Sequence, residues 1–156
     1  MTVVGELRVA AYEAGGFISA DSAYVPTLRG LGADGNGHVL VATKAQQVVG
    51  TIMLQTWPHT GAVVAGSDEA EIRALAVRPD LQGMGIGRTL LRHALERAAE
   101  LGVRHLVLCT EPAMRVAHRL YEQAGFVRLP ERDWSPSPGT RLLVYGLILD
   151  GRAQRA

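Results

Sequence analysis

The chain has 156 residues, of which 47% are apolar and 20% are charged, and its formal net charge is +1. This length and balance predict one folded domain and exclude a disordered chain, and the small net charge predicts no nucleic-acid or membrane partner. The chain has one cysteine, Cys109, no apolar run of the roughly 20 residues that span a bilayer, and no basic start to a signal peptide, which together predict a cytoplasmic protein.

Hydrophobic periodicity and turn residues divide the chain into four helices and six strands. Helices are predicted at residues 6–14, 22–31, 88–101 and 113–124. Strands are predicted at residues 38–45, 48–57, 69–77, 105–110, 126–129 and 141–149. The first two strands form an antiparallel hairpin and the later ones alternate with helices, so we expect an α/β fold with a mixed, mostly antiparallel sheet and helices on both faces. A single domain over residues 1–150 would precede a frayed tail at residues 151–156.

A glycine-rich segment connects the third strand to the third helix, with the sequence Gln82-Gly83-Met84-Gly85-Ile86-Gly87-Arg88. Glycine permits unusual backbone geometry and lets a ligand approach the main chain. The helix start adds unpaired N–H groups and the positive end of the dipole, and Arg88 adds a cation, so the segment suits an anion. It matches neither the triphosphate loop nor the dinucleotide fingerprint. Taken alone, these glycines also fit a tight turn without a ligand.

Two motifs in order resemble the signature of the GNAT superfamily of N-acetyltransferases. The first is Leu75-Ala76-Val77, then Pro79, then Gln82-x-x-Gly85-x-Gly87 before an amphipathic helix. The second, one βα unit later, is Ala117-x-x-Leu120-Tyr121-x-x-x-Gly125-Phe126. The resemblance covers roughly residues 39–149 and implies acetyl-CoA as cosubstrate.

The resemblance also implies which residues bind the coenzyme. Main-chain amides of residues 82–88 would hold the pyrophosphate, and main-chain groups of residues 75–77 would pair with the pantetheine arm, as an added strand does. In this family the strand at 69–77 and the next strand splay apart, and the arm enters the gap. The expected coenzyme-binding residues are Leu75, Ala76, Val77, Gln82, Gly83, Met84, Gly85, Ile86, Gly87 and Arg88.

Glu71 is the candidate general base. An alkyl amine with a pKa near ~10.4 is almost entirely protonated at pH 7, so its transfer chemistry needs a base. Side chains alternate along a strand, which predicts that Glu71 shares a face with Leu75 and Val77. Glu69 has the same parity and is the second choice. A solvated carboxylate at a strand edge is the structural alternative.

Tyr121 is the candidate acid, because in the resembled family the corresponding tyrosine lies near the thioester sulfur. A phenol with a pKa near ~10 can donate a proton to a thiolate of similar basicity. A tyrosine held only by the packing of its ring is the alternative.

Two features depart from the family pattern. Met114 stands where the family often has an asparagine that contacts pantetheine, and Thr110 or Glu111 could substitute for that amide. The predicted first helix follows the N-terminus without the family's opening edge strand. Either that strand is missing or the true start lies upstream. A missing strand would expose a sheet edge, which favours a homodimer.

These observations predict acetyl-CoA-dependent transfer to a primary amine by direct attack in a ternary complex. The acceptor would be a small molecule or a peptide, and acetylation of protein N-termini differs only in that acceptor. Met114 favours the rival interpretation, a non-catalytic acyl-CoA-binding sensor. The five histidines show no metal-ligand spacing, so no metal site is predicted. In the resembled family the region of Trp134 often borders the acceptor site, and a loop pinned by one tryptophan is the alternative. Cys109 is expected to be a small buried residue rather than an acetyl carrier.

Overall fold

The computed structural model describes residues 2–18, 22–60 and 64–149 and has an α/β fold. Its helices are α1 Thr2–Ala14, α2 Val25–Gly30, α3 Ile86–Glu100 and α4 Arg115–Gln123. Its strands are β1 His38–Lys44, β2 Gln47–Thr56, β3 Glu69–Val77, β4 His105–Thr110, β5 Val127–Arg128, β6 Trp134–Ser137 and β7 Thr140–Ile148. None of the helices in this part of the chain is long and apolar enough to cross a bilayer. The tail predicted to fray, residues 151–156, lies outside the described residues.

The sheet is mixed and mostly antiparallel, as predicted. Its strand order is β1-β2-β3-β4-β7-β5, and β6 pairs with β7 off this path. β3 and β4 are parallel, whereas β7 is antiparallel to β4, β5 and β6. The sequence predicts a loop where β6 lies, because Pro136 and Pro138 argue against a strand. A strand paired on one side tolerates proline, since the missing N–H is not needed in the ladder.

The first hairpin turns one residue earlier than predicted. Ala45 and Gln46 both have positive φ, 50° and 67°, and Lys44 pairs with Gln47. Two consecutive left-handed residues match a type I′ turn, whose twist suits paired strands. The backbone of this turn therefore places residues 45–46, rather than 46–47, in the connection.

The described chain divides into two compact units that interleave along the sequence. The first unit comprises Met1–Leu54 and Ala74–Ala94, and the second comprises Gln55–Arg73 and Leu95–Ala156. β2, β3 and α3 each run from one unit into the other.

Close backbone packing organises the first unit. An added Cβ at Gly5 in α1 would lie 2.5 Å from the carbonyl oxygen of Arg29 in α2, so the two helices meet without a side chain between them. The buried Arg8 donates to the carbonyl oxygens of Leu28 and Leu31 at 3.1 and 2.8 Å, at the C-terminal end of α2. A cation there also complements the helix dipole.

A second close approach fixes the start of α3. An added Cβ at Gly50 in β2 would lie 2.9 Å from methyl groups of both Ile86 and Leu90. The first turn of α3 therefore packs directly on the β2 backbone. This packing holds the glycine-rich segment at the edge of the first unit's core.

The second unit packs side chains on both faces of β4. Val107 joins Val64 and Val144 in a small core on one face. On the other face, Tyr145, the β7 partner of Leu108, stacks near Tyr121 of α4. Because side chains alternate along β4, Val107 and Cys109 face one way, and Leu108 and Thr110 face the other.

Candidate active site

The glycine-rich segment presents bare backbone amides at the start of α3. Gly83 and Gly85 have φ values of 83° and 86°, and a Cβ added at either would meet nothing within 4 Å. The N–H groups of residues 85–88 donate to no backbone oxygen in the described chain, and the first such bond runs from Thr89 to Gly85 at 3.1 Å. Open space, unpaired donors and the helix dipole together form an anion cradle.

Most other predicted coenzyme-binding residues lie on the surface of this segment. Gln82, Met84 and Arg88 are exposed, and Ile86 and Gly87 are half-buried. Gln82 turns back, and its side-chain amide donates to the carbonyl oxygen of Val77 at 3.2 Å. That bond ties the segment to the end of β3.

β3 carries a backbone irregularity at its middle. Ala74 has φ 55°, a left-handed conformation that a non-glycine residue rarely adopts. Regular alternation is therefore interrupted between Arg73 and Leu75, and a shared face for Glu71 and Leu75 no longer follows from parity. Pairing of β3 with β4 joins Glu69–Ile72 to His105–Leu108, and Arg73 lies beyond its last pair.

Glu71 is a buried carboxylate with a guanidinium nearby. Its exposed fraction is 5%, and its Cα partner in β4 is Val107. The Arg73 Nε lies 4.0 Å from the Glu71 Oε2, and another Arg73 nitrogen donates to the Gln55 side-chain oxygen at 3.2 Å. The Arg73 guanidinium thus places a compensating positive charge near a carboxylate that is buried from water.

Glu69, the second choice for the base, has both carboxylate oxygens engaged in hydrogen bonds. Arg132 grips both of its carboxylate oxygens at 3.0 and 2.8 Å, His105 Nδ1 lies 2.7 Å away, and the Ala65 N–H donates at 2.8 Å. The hydrogen bonds from Arg132 contribute most to lowering the pKa of Glu69 to about 2. So weak a base accepts a proton poorly at neutral pH, which leaves Glu71 as the stronger candidate.

Tyr121 lies on the opposite face of the second unit's strands from Glu71. Its ring packs 5.9 Å from Phe126 and 6.2 Å from Tyr145, centroid to centroid. Burial raises the pKa of Tyr121 above its usual value, because the phenolate would lose its hydration. The phenol therefore stays protonated at neutral pH, and the same burial makes it a weaker acid than a solvated tyrosine.

Met114 occupies a small polar cluster at the end of β4. The hydroxyl of the buried Thr110 lies 3.6 Å from the Met114 sulfur, and His118 Nε2 lies 3.2 Å from the same hydroxyl. His118 Nε2 also donates to the Glu111 carbonyl oxygen at 2.9 Å. Sequence reasoning missed His118, although its position four residues after Met114 on a helix was a usable signal.

Cys109 and Trp134 meet on the same face as Glu71. The Trp134 Nε1 lies 3.3 Å from the Cys109 sulfur, and the indole is 36% exposed. Burial raises the pKa of the Cys109 thiol, so the thiol is protonated at neutral pH and a poor acetyl carrier. Among the described residues, no three His, Cys, Asp or Glu side chains are grouped to hold a metal ion.

Sequence comparison relates the chain to acetyltransferases. Residues 6–126 match the model of the Acetyltransferase (GNAT) family. A mycothiol acetyltransferase of Cellulomonas flavigena is 32% identical over 113 residues, 67% of this chain and 32% of that protein. A ribosomal protein bS18-alanine N-acetyltransferase of Escherichia coli K12 is 41% identical over 59 residues, 38% of this chain and 40% of that protein. The matched region thus spans well under half the length of these relatives.

Solved structures share the fold over nearly the whole chain. An acetyltransferase of the GNAT family from Desulfovibrio desulfuricans has a TM-score of 0.73 at 22% identity and covers 94% of this chain and 90% of its own. The PaiA N-acetyltransferase of Thermoplasma acidophilum, solved in complex with coenzyme A, has a TM-score of 0.70 at 16% identity and covers 94% and 91%.

Proposed function

The chain belongs to the GNAT family of acetyltransferases, and from this premise we propose that it transfers the acetyl group of acetyl-CoA to a primary amine in a ternary complex. The observation that carries the proposal is the run of unpaired amides at residues 85–88 beside two open, left-handed glycines. Such a cradle suits a diphosphate, because its donors and the helix dipole point at one anion.

The proposed reaction places the coenzyme on the main chain of the cradle and of β3. Main-chain N–H groups of Gln82 to Arg88 hold the pyrophosphate, and the main chain of Leu75, Ala76 and Val77 pairs with the pantetheine arm. The thioester arrives already activated toward an amine, so no nucleophilic side chain is required. The protonated Cys109 thiol accords with direct attack rather than an acetyl-cysteine route.

Glu71 removes the proton that prevents the amine from attacking. Neutral amine is scarce at pH 7, a deficit of roughly 4–5 kcal/mol for a pKa near 10.4. Glu71 accepts this proton directly or through one water molecule, with the Arg73 guanidinium 4.0 Å from its carboxylate. As the carbon–sulfur bond breaks, Tyr121 Oη donates its proton to the departing sulfur, and the second proton that the nitrogen loses on becoming an amide returns through solvent to the tyrosinate.

The acceptor is a small-molecule or peptide amine. The relatives named above act, by their names, on mycothiol and on a protein alanine, which makes both kinds of amine reasonable starting points. Nothing about this site requires nucleic acid or a membrane. A homodimer and a cytoplasmic location stay predictions from the sequence.

The test is to incubate the protein with acetyl-CoA and a panel of amines that includes polyamines, amino acids, aminoglycosides and a peptide with N-terminal alanine. We expect release of free coenzyme A, measured with a thiol reagent, in step with an acetylated product seen by mass spectrometry. Tight coenzyme binding without release above background would instead support the non-catalytic sensor, which Met114 at the usual asparagine position favours.

A further inference from the structure

The segment that leads into β6 and ends at its first residue, Trp134, makes side-chain contacts at three consecutive residues. Arg132 binds Glu69, Asp133 binds Arg128 and the Val144 N–H, and Trp134 binds Cys109. We name residues 130–134 the strap. Its fastenings are side-chain contacts to β3, β4, β5 and β7, so its position is set by those strands.

The bond between Arg132 and Glu69 is the most specific of these fastenings. Two parallel N–H···O bonds of 3.0 and 2.8 Å join the guanidinium to the carboxylate, and the Glu69 side chain is only 8% exposed. His105 and the Ala65 N–H complete the hydrogen bonds of this carboxylate. Planar bidentate pairs of this kind fix orientation as well as distance, and lysine cannot reproduce them.

The sheet register shows where the strap lies. Glu69 pairs with His105 and Glu71 with Val107, and Cys109 is two residues farther along β4 on the same face. Arg132 binds at the level of the Glu69–His105 pair, and Trp134 binds at the level of Cys109, four residues farther along β4 than His105. The strap therefore spans the stretch of this face between Glu69 and Cys109, and Glu71 lies on the same stretch.

We propose that Arg132 is a positioning residue: pinned by Glu69, it sets the Trp134 indole against Cys109 as the wall that selects the acceptor amine. This inference rests on the proposed function. The indole offers an apolar, electron-rich surface against Cys109, on the same face as the buried carboxylate of Glu71, and this combination suits a cationic amine on an apolar body. Glu69 acts here through Arg132 and takes no part in proton transfer.

Trp134 fluorescence tests the positioning without any assay of activity. The chain has two tryptophans, so Trp57→Phe leaves Trp134 as the sole indole reporter. A thiol in contact quenches indole emission, and Cys109→Ala should therefore raise emission in this background. With Arg132→Lys added, we expect most of that rise to disappear, because the indole no longer rests on residue 109. An equal rise with and without Arg132 would overturn the proposal.

The same set of variants includes controls for loss of folding. If circular dichroism shows that Arg132→Lys is unfolded, the double variant Glu69→Gln with Arg132→Met is used in its place. It removes both buried charges together. Arg141→Lys is the matched control, because Arg141 also binds the strap, through Asp133, but is exposed. It should leave the thiol-dependent change in emission intact.

Kinetics with an identified acceptor provide the second readout. Arg132→Lys should raise the KM for the acceptor roughly tenfold while the KM for acetyl-CoA stays unchanged, because the cradle is made elsewhere. An equal rise in the KM for the acceptor and in the KM for acetyl-CoA would mark a merely structural role and overturn the proposal. If no amine is acetylated at all, the proposed function fails, and the fluorescence result still decides whether Arg132 positions Trp134.

Discussion

Tyr121 and Glu71 approach β4 from its two faces, which separates the two proton transfers of the proposed reaction. Glu71 shares its face with Val107, and Tyr121 stacks on Tyr145, the partner of Leu108. The amine would lose a proton to Glu71 on one face of β4, and the sulfur would gain a proton from Tyr121 on the other face. The two transfers therefore use different side chains. In the proposed reaction, each of these two side chains therefore has one role.

Replacing Tyr121 tests the acid role. Tyr121→Phe keeps the ring packing and removes only the donor, so kcat should fall by about 10²- to 10³-fold with an unchanged KM for acetyl-CoA. Tyr145→Phe is the control, because its hydroxyl binds Glu122 at 3.3 Å in the same aromatic cluster. Steady-state rates that are alike for the Tyr121 variant and the wild type would remove the acid from the mechanism.

Replacing Glu71 tests the base role through pH. Glu71→Gln should lower kcat/KM at pH 7 by about 10²-fold or more, since the amine is then deprotonated only by solvent. The deficit should shrink as the pH approaches the pKa of the amine, because a neutral amine needs no base. A deficit that stays constant from pH 7 to 10 would assign Glu71 a structural role instead.

At the scale of elements, the glycine-rich segment depends on its neighbours for its position. Gly50 lets α3 start against β2, and the Gln82 side chain holds the segment to Val77. β3, β4, β5 and β7 hold the strap in the same manner, through contacts with its side chains. Each functional feature is thus attached to the sheet at two or more points.

The Glu69–Arg132 bond should make folding stability depend on acid. The pKa of Glu69 is lowered from 4.5 to about 2, so its stabilisation is fully present above about pH 4.5 and is lost as the pH falls toward 2. Urea unfolding should therefore show the advantage of the wild type over Glu69→Gln shrinking by about 1–3 kcal/mol between pH 6 and 3. Glu100→Gln, at an exposed pair with Arg97, should show little change.

Local patterns predicted most elements, and long-range contacts account for what they missed. β3 and β4 have the predicted bounds, because apolar runs and a following turn mark both strands. The glycine segment and Tyr121 were visible as motifs in short windows. The hydrogen bonds between Glu69 and Arg132 were not visible in such windows, because the two residues are 63 positions apart. The left-handed Ala74 also carries no sequence signal, because alanine rarely adopts that conformation.

At the scale of the whole molecule, family membership and fold agree. The family model covers residues 6–126, and solved GNAT structures align over more than nine-tenths of the chain. The cradle lies in the first unit, whereas Glu71, Tyr121 and the strap lie in the second. Coenzyme binding and proton transfer can therefore be tested separately, and binding comes first because the rest of the account requires it.

Isothermal titration of acetyl-CoA into the wild type, Gly85→Glu and Gly35→Glu tests that requirement most directly. Gly85 and Gly35 have φ values of 86° and 82° and equally open surroundings, so the two variants carry the same strain and charge. The account predicts that Gly35→Glu binds like the wild type and that Gly85→Glu binds roughly 100-fold more weakly, because a carboxylate enters the anion cradle. Equal affinities for all three proteins would contradict it.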